Sequence, residues 1–131
     1  MAATGTSGQF EAAVGGIVNQ FLRDLVGRGA NTVSAVRHRD LLVVRLGGVL
    51  TKLEESLSLD DAEEESRTLA RAIRHRLVTR SRQRLVATLA SATGSSPVAI
   101  LHDCDDRSGE EVFVFRFAEG DGPPRRDARS G

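Results

Sequence analysis

Five consecutive residues, His102 to Asp106, are all of types that can bind a metal ion through imidazole, thiolate or carboxylate groups. Adjacent side chains cannot generally all point at one ion, and no second cluster with zinc-ligand spacing occurs in the chain. Asp and Gly are also the residues that turns favour. The segment is therefore predicted to be a strand end running into an acidic hairpin turn, with no metal site and no cofactor.

Gly47-Gly48 precedes a predicted helix that opens on Thr51, with Glu54 three residues later, which is a capping-box spacing. Glycine backbone N–H groups at such a corner could bind an anion, with Lys52 nearby. The favoured interpretation is a close-packed turn between a strand and a helix, and anion or small-ligand binding is kept as the alternative. The candidate ligand-binding residues are Arg28, Gly47, Gly48, Thr51, Lys52 and Glu54.

Arginines are concentrated between residues 67 and 84, where two sets repeat at helical spacing. Arg76, Arg80 and Arg84 form the denser set and are the candidate interaction surface. They would contact phosphates or a protein partner, or would be solvated and balanced by nearby glutamates. The chain has eighteen basic and eighteen acidic residues, so solvation is favoured and no nucleic-acid binding is expected near physiological salt. The second set is Arg67, Arg71 and Arg74.

The first half of the chain predicts a helix followed by a hairpin. A helix begins near Thr6 and buries a stripe of apolar residues at spacings of three and four, before Gly27 and Gly29 end it. Residues 31–37 and 41–46 are predicted to be antiparallel strands. The second strand is apolar on nearly both faces, so it is expected to be central or covered on both sides. The helical stripe comprises Phe10, Val14, Ile17, Phe21 and Leu25.

The second half predicts helices and a second hairpin. A short helix covers 49–57, and a long one, capped by Ser58 or Asp60, could run to about Ala92. The apolar stripe of Leu69, Ile73 and Leu77 gives way to Leu85 and Leu89 around Arg80-Ser81, a shift that a kink there or burial against a second subunit would accommodate. Gly94 stops this helix. Residues 98–102 and 112–117 form strands three and four, with three phenylalanines on one face of the last strand.

These elements give the order αββααββ. The predicted fold is a single α+β domain with a mostly antiparallel four-stranded sheet packed against helices. Residues 1–8 are expected to be flexible, 9–118 to form the domain, and the tail 119–131 to be disordered. Two sheet edges and an overlong helix predict a homodimer.

Composition narrows the classes of function further. No apolar run is long enough to span a bilayer, and the N-terminus lacks the features of a secretory signal. The single Cys104 has no internal disulfide partner and no second cysteine in a redox motif. The sequence thus predicts a cytoplasmic protein without direct membrane insertion.

The chain also resembles a known bacterial family. Gly27-Arg28-Gly29 after the first helix, the segment Leu46 to Glu54, the Arg-rich helix, Gly94 and the terminal strand VFVFRF are similar to the family named for MpsC. The resemblance implies a cytoplasmic accessory protein of a sodium-translocating, membrane-potential-generating system, with related systems linked to bicarbonate uptake. It implies no mechanism.

No nucleophile is paired with a base in this sequence, so an enzyme is not predicted. The leading hypothesis is a non-enzymatic accessory or regulatory domain that acts by protein–protein association. The first alternative is the ligand-binding module at the Gly47-Gly48/Lys52 corner, and the second is nucleic-acid binding through the Arg-rich helix.

Overall fold

A computed structural model describes residues 5–48, 64–105 and 107–118. It contains three helices and four strands within these ranges. We number them α1 (Gly5–Val26), β1 (Thr32–His38), β2 (Leu41–Gly47), α2 (Glu64–Arg80), α3 (Arg82–Thr93), β3 (Pro97–Asp105) and β4 (Glu110–Phe117).

The four strands form one antiparallel sheet in the order β1-β2-β4-β3. Both predicted hairpins are present, and β2 is central, as its apolar pattern predicted. The α+β class and the order αββααββ are confirmed. The two adjacent helices in that order are α2 and α3, because the predicted helix at 49–57 and the caps Ser58 and Asp60 lie outside the described residues.

The core lies between the helices and one face of the sheet, which we call the inner face. Alternation along each strand turns every second side chain towards it. Val14 and Phe21 from α1 are buried here, as predicted, while Phe10, Ile17 and Leu25 pack at its margin. The strand residues of the buried hydrophobic core are Leu42, Val44, Leu46, Phe113, Phe115 and Phe117.

The first helix ends as its glycines predicted. Gly27 has a φ of 80°, a left-handed conformation that costs glycine little, and its N–H donates to the carbonyl oxygen of Arg23 at 2.9 Å. Gly29 has an ordinary backbone conformation, and Ala30 donates its N–H to Asn19 Oδ1 at 2.7 Å. The turn is therefore tied back to α1 before β1 begins.

Of the two explanations for the shifted apolar stripe, the structure shows a break in the helix, at Ser81. The N–H of Ser81 is shared between the carbonyl oxygens of Leu77 and Val78, at 3.2 and 3.1 Å, and α3 starts at the next residue. Beyond it, Leu85 and Leu89 are buried against the core. Gly94 then ends α3 with a φ of 80°, as predicted.

Candidate functional site

A buried cluster of three polar side chains joins α2 to the sheet. Arg74 Nη1 donates to Glu111 Oε1 at 3.0 Å, and His102 Nε2 hydrogen-bonds the other carboxylate oxygen, Oε2. The exposed fractions of the Arg74, Glu111 and His102 side chains are 1%, 0% and 3%. Each carboxylate oxygen thus has its own partner, which is how a buried charge is accommodated in a protein interior.

Strand alternation explains why these residues meet. Glu111 is the first of four inner-face positions on β4, followed by Phe113, Phe115 and Phe117, so its carboxylate must enter the core. His102 lies opposite Phe113 in the β3–β4 register, with ring centroids 4.6 Å apart. Arg74 reaches the same place from α2, which packs over β3.

The second ring nitrogen of His102 is less well satisfied. Nδ1 is buried and has no hydrogen-bond partner among the described residues. The ring also stacks on His75, at a centroid distance of 5.9 Å and an interplanar angle of 23°. Buried polar atoms are rarely left without a partner, so this nitrogen is an informative exception.

A groove of about 450 Å³ lies beside this ring. Its residues come from α2, α3, β3 and β4, and neither Arg74 nor Glu111 is among them. The groove is therefore lined by His102 but not by the carboxylate that His102 bonds. It is lined by His75, Val78, Thr79, Arg82, Leu85, Ile100, Leu101, His102, Asp103, Val112 and Val114.

Strand β3 extends further into the predicted acidic turn than expected. β3 continues to Asp105, so the side chains of His102 and Asp103 point to opposite faces of the sheet. Ser108 donates its backbone N–H to Asp105 Oδ2 at 3.1 Å, and bonds from its hydroxyl and this N–H hold the pKa of Asp105 below its ordinary value. Within 5–48, 64–105 and 107–118, no three metal-ligating side chains are grouped.

The arginine sets are divided by the fold. Arg76 and Arg80 are exposed on α2, but Arg84 lies beyond the interruption and places its guanidinium 5.6 Å from the Phe21 ring centroid. The prediction that Arg74 lies on a solvated helix face is wrong. Its partner Glu111 is remote in sequence and the pair is buried. Arg71 is exposed, and the Arg67 side chain lies outside the described residues.

The apolar stripe of α2 faces outward. Leu69 and Ile73 are 60% and 52% exposed, whereas Val78 and Arg74 are buried. At 100° per residue, Leu69, Ile73, Arg76 and Arg80 fall within about 60° of one another on the helical wheel. We call these four residues the α2 outer face. Exposed apolar side chains bordered by charge are typical of a protein interaction site.

The glycine corner is only partly described. Gly47 ends β2, and Gly48 has a φ of 70°. A Cβ on Gly47 would lie 2.5 Å from Thr32 Oγ1, and one on Gly48 would overlap the side chain of Asn31. This supports close packing at the corner. Arg28 is half-buried, and Thr51, Lys52 and Glu54 lie outside the described residues.

Comparison with known proteins decides the family. A family model described as "Na+-translocating membrane potential-generating system (MpsC)" matches residues 6–119, which is most of the chain. The chain belongs to the MpsC family. It is also 27% identical, over 112 residues, to the uncharacterised protein YbcI of Bacillus subtilis (strain 168), an alignment covering 86% of this chain and 88% of YbcI. No solved structure matches.

The MpsC match includes all of the described residues except Gly5. Among the helices of these residues, none combines the length and apolar character needed to cross a bilayer.

Sequence reasoning missed the cluster of Arg74, Glu111 and His102. One signal for it was present, because Glu111 occupies an inner-face position in an otherwise phenylalanine-rich alternation. A carboxylate at such a position requires a cationic or hydrogen-bonding partner. The identity of that partner depended on tertiary packing.

Proposed function

We propose that this MpsC-family protein is a non-enzymatic, cytoplasmic accessory domain of a sodium-linked membrane system, and that it acts by binding another protein through the α2 outer face. The family description supports the link to a membrane system. The outward position of Leu69 and Ile73 carries the proposal for association.

The α2 outer face has the chemistry of a docking site for an acidic, amphipathic partner. Leu69 and Ile73 supply apolar area, and the neighbouring Arg76 and Arg80 supply positive charge. If α2 packed against α2 of a second copy, a parallel arrangement would bring arginines together, and an antiparallel one would bring arginines against apolar residues. Both arrangements are unfavourable. The expected partner surface therefore combines an apolar groove with Asp or Glu at its rim.

The outer face of the sheet favours a homodimer. Val36, Val43, Val114 and Leu101 form one row across all four strands, since Val36 pairs with Val43, Val43 with Val114, and Val114 with Leu101. The two end residues are 62% and 59% exposed. In a face-to-face dimer with a twofold axis parallel to the strands, this apolar row of one copy would lie against the same row of the other. The surface can therefore pair with itself.

Two sets of variants separate these surfaces. Light scattering at micromolar concentration should report about twice the chain mass of 14.1 kDa. Val36→Glu with Leu101→Glu should give a monomer, whereas Leu69→Glu with Ile73→Glu should leave the dimer intact. A monomer for the unmodified protein would contradict the dimer.

Co-purification tests the partner surface. The protein would be co-expressed with the membrane subunits of the sodium-translocating system from the same genome. Retention should be lost in the Leu69→Glu/Ile73→Glu variant and kept in a Thr68→Glu variant, a matched control at an exposed site on α2. Equal retention by all forms, or by none, would refute docking through this face.

A further inference from the structure

The buried nitrogen of His102 has a defined hydrogen-bonding character. Nε2 faces a carboxylate oxygen, which accepts hydrogen bonds, so Nε2 is the donor. In the tautomer that carries its proton on Nε2, Nδ1 has the lone pair and accepts. This nitrogen requires a donor, and none of the described residues provides one.

The groove beside the ring is polar at both ends and apolar between them. Val78, Leu85 and Ile100 supply the apolar walls. His102 contributes its unpartnered Nδ1 on the inner face of β3, whereas the Asp103 side chain lies on the opposite face. Arg82, the first residue of α3, brings a guanidinium to the same groove, and the Thr79 hydroxyl lies one turn before it.

We propose that this groove binds a small organic acid that carries a hydroxyl or N–H group. The donor of the ligand would bond His102 Nδ1, its short hydrocarbon body would contact Val78 and Ile100, and its carboxylate would pair with Arg82. A planar guanidinium is suited to bidentate binding of a carboxylate. Apolar walls with a few fixed polar groups are the usual composition of small-molecule sites.

Access to the ring requires only a small motion. His75 stacks on His102 but is itself exposed on the surface of α2. Exposed side chains change rotamer in picoseconds to nanoseconds, so a ligand can displace this ring without moving the backbone. His102 is held in place meanwhile by Glu111 and Phe113.

Nuclear magnetic resonance of the full chain tests the site. The chain has three histidines, His38, His75 and His102, so ring nitrogen resonances can be assigned by substitution of the first two. The probes are short hydroxycarboxylates, each compared with the same acid without its hydroxyl. We expect saturable binding that shifts His102 Nδ1, with about tenfold weaker binding when the hydroxyl is absent.

Two neighbouring arginines provide the control. Arg82→Gln should reduce affinity at least about tenfold, since a hydrogen-bonded charge is lost, whereas Arg80→Gln should leave it unchanged because Arg80 is not in the groove. Both positions are exposed, so the fold is retained. Absence of saturable binding by every probe, binding without a shift at His102, or equal affinity in the Arg82→Gln variant would each overturn the proposal.

This inference is independent of the partner-binding function. The groove residues are distinct from Leu69, Ile73, Arg76 and Arg80, but they include Leu101 and Val114 of the proposed dimer row, so the ligand measurements are made on the protein in the oligomeric state that light scattering reports. Loss of ligand binding in the Arg82→Gln variant with normal retention by membrane subunits would therefore identify two separate sites.

Discussion

Glu110 and Glu111 are consecutive on β4, and each forms an ion pair with an arginine on a different side of the sheet. Glu110 meets Arg45 at 2.6 Å on the outer face, where the two side chains are 40% and 60% exposed. Glu111 meets Arg74 at 3.0 Å in the core. The shorter pair is the exposed one, so distance alone does not rank their importance.

The two ion pairs differ in whether water can reach them and replace a partner. Solvent screens the outer pair and can replace either partner, although the bond from Arg45 to Glu110 raises the pKa of that guanidinium. In the core, water cannot substitute for a lost partner. The inner pair therefore makes α2, β3 and β4 depend on one another, whereas the outer pair contributes little to the fold.

The largest expected effect comes from breaking the inner pair. Glu111→Leu removes the carboxylate that Arg74 Nη1 and His102 Nε2 bond in the core and should lower the free energy of unfolding by about 3–5 kcal/mol, measured by chemical denaturation. The double variant Glu111→Leu/Arg74→Met removes both charges and should recover much of that loss. A double variant as unstable as the single one would show that packing and the lost bond to His102, not charge, determine the cost.

Substitution at the glycine corner should have the second-largest effect on stability, and its cost can be compared with that of Glu111→Leu. Gly48→Val forces a β-branched residue into a φ of 70° beside Asn31, and Gly47→Val brings a Cβ against Thr32. We expect losses of about 1–3 kcal/mol in unfolding free energy.

Gly16→Ala is the control for the glycine variants. Gly16 is helical and a Cβ there would meet nothing within 4 Å, so the same measurement should show no loss. Unchanged denaturation midpoints in both valine variants would show that the corner does not need glycine.

The contrast between the two glutamates also marks what could be predicted from the sequence. Local signals predicted the strands, the shift of the apolar stripe near Ser81 and the stop at Gly94, because each depends on residues close together in the chain. The site depended on Arg74, His102 and Glu111, which meet only after α2 packs on the sheet. Nothing in a run of arginines distinguishes the buried one. The exposure of Leu69 and Ile73 was missed for the same reason.

Breaking the outer pair should have a much smaller effect. Arg45→Gln removes the charge at an exposed position, where Glu110 can be solvated instead. The denaturation midpoint should not change measurably, and it should respond little to added salt. A loss comparable with that of Glu111→Leu would show that the outer pair is a structural contact and would remove the distinction drawn between the two faces.

The smallest expected effect is at Asp105, which pairs with Glu110 across the β3–β4 hairpin. Hydrogen bonds from Ser108 favour the charged carboxylate, so the pKa of Asp105 is below its ordinary value of 3.8. A carboxylate with a lowered pKa stabilises the folded state above the unfolded pKa, and this contribution disappears as the pH falls through the folded pKa. Asp105→Asn cannot titrate. Denaturation at a series of pH values should therefore show the unmodified protein slightly more stable than the variant near neutrality, with the gap closing in acid below 3.8. A stability difference that stays constant with pH would mean that the hydrogen bonds of the turn stabilise the protein equally whether or not Asp105 is charged.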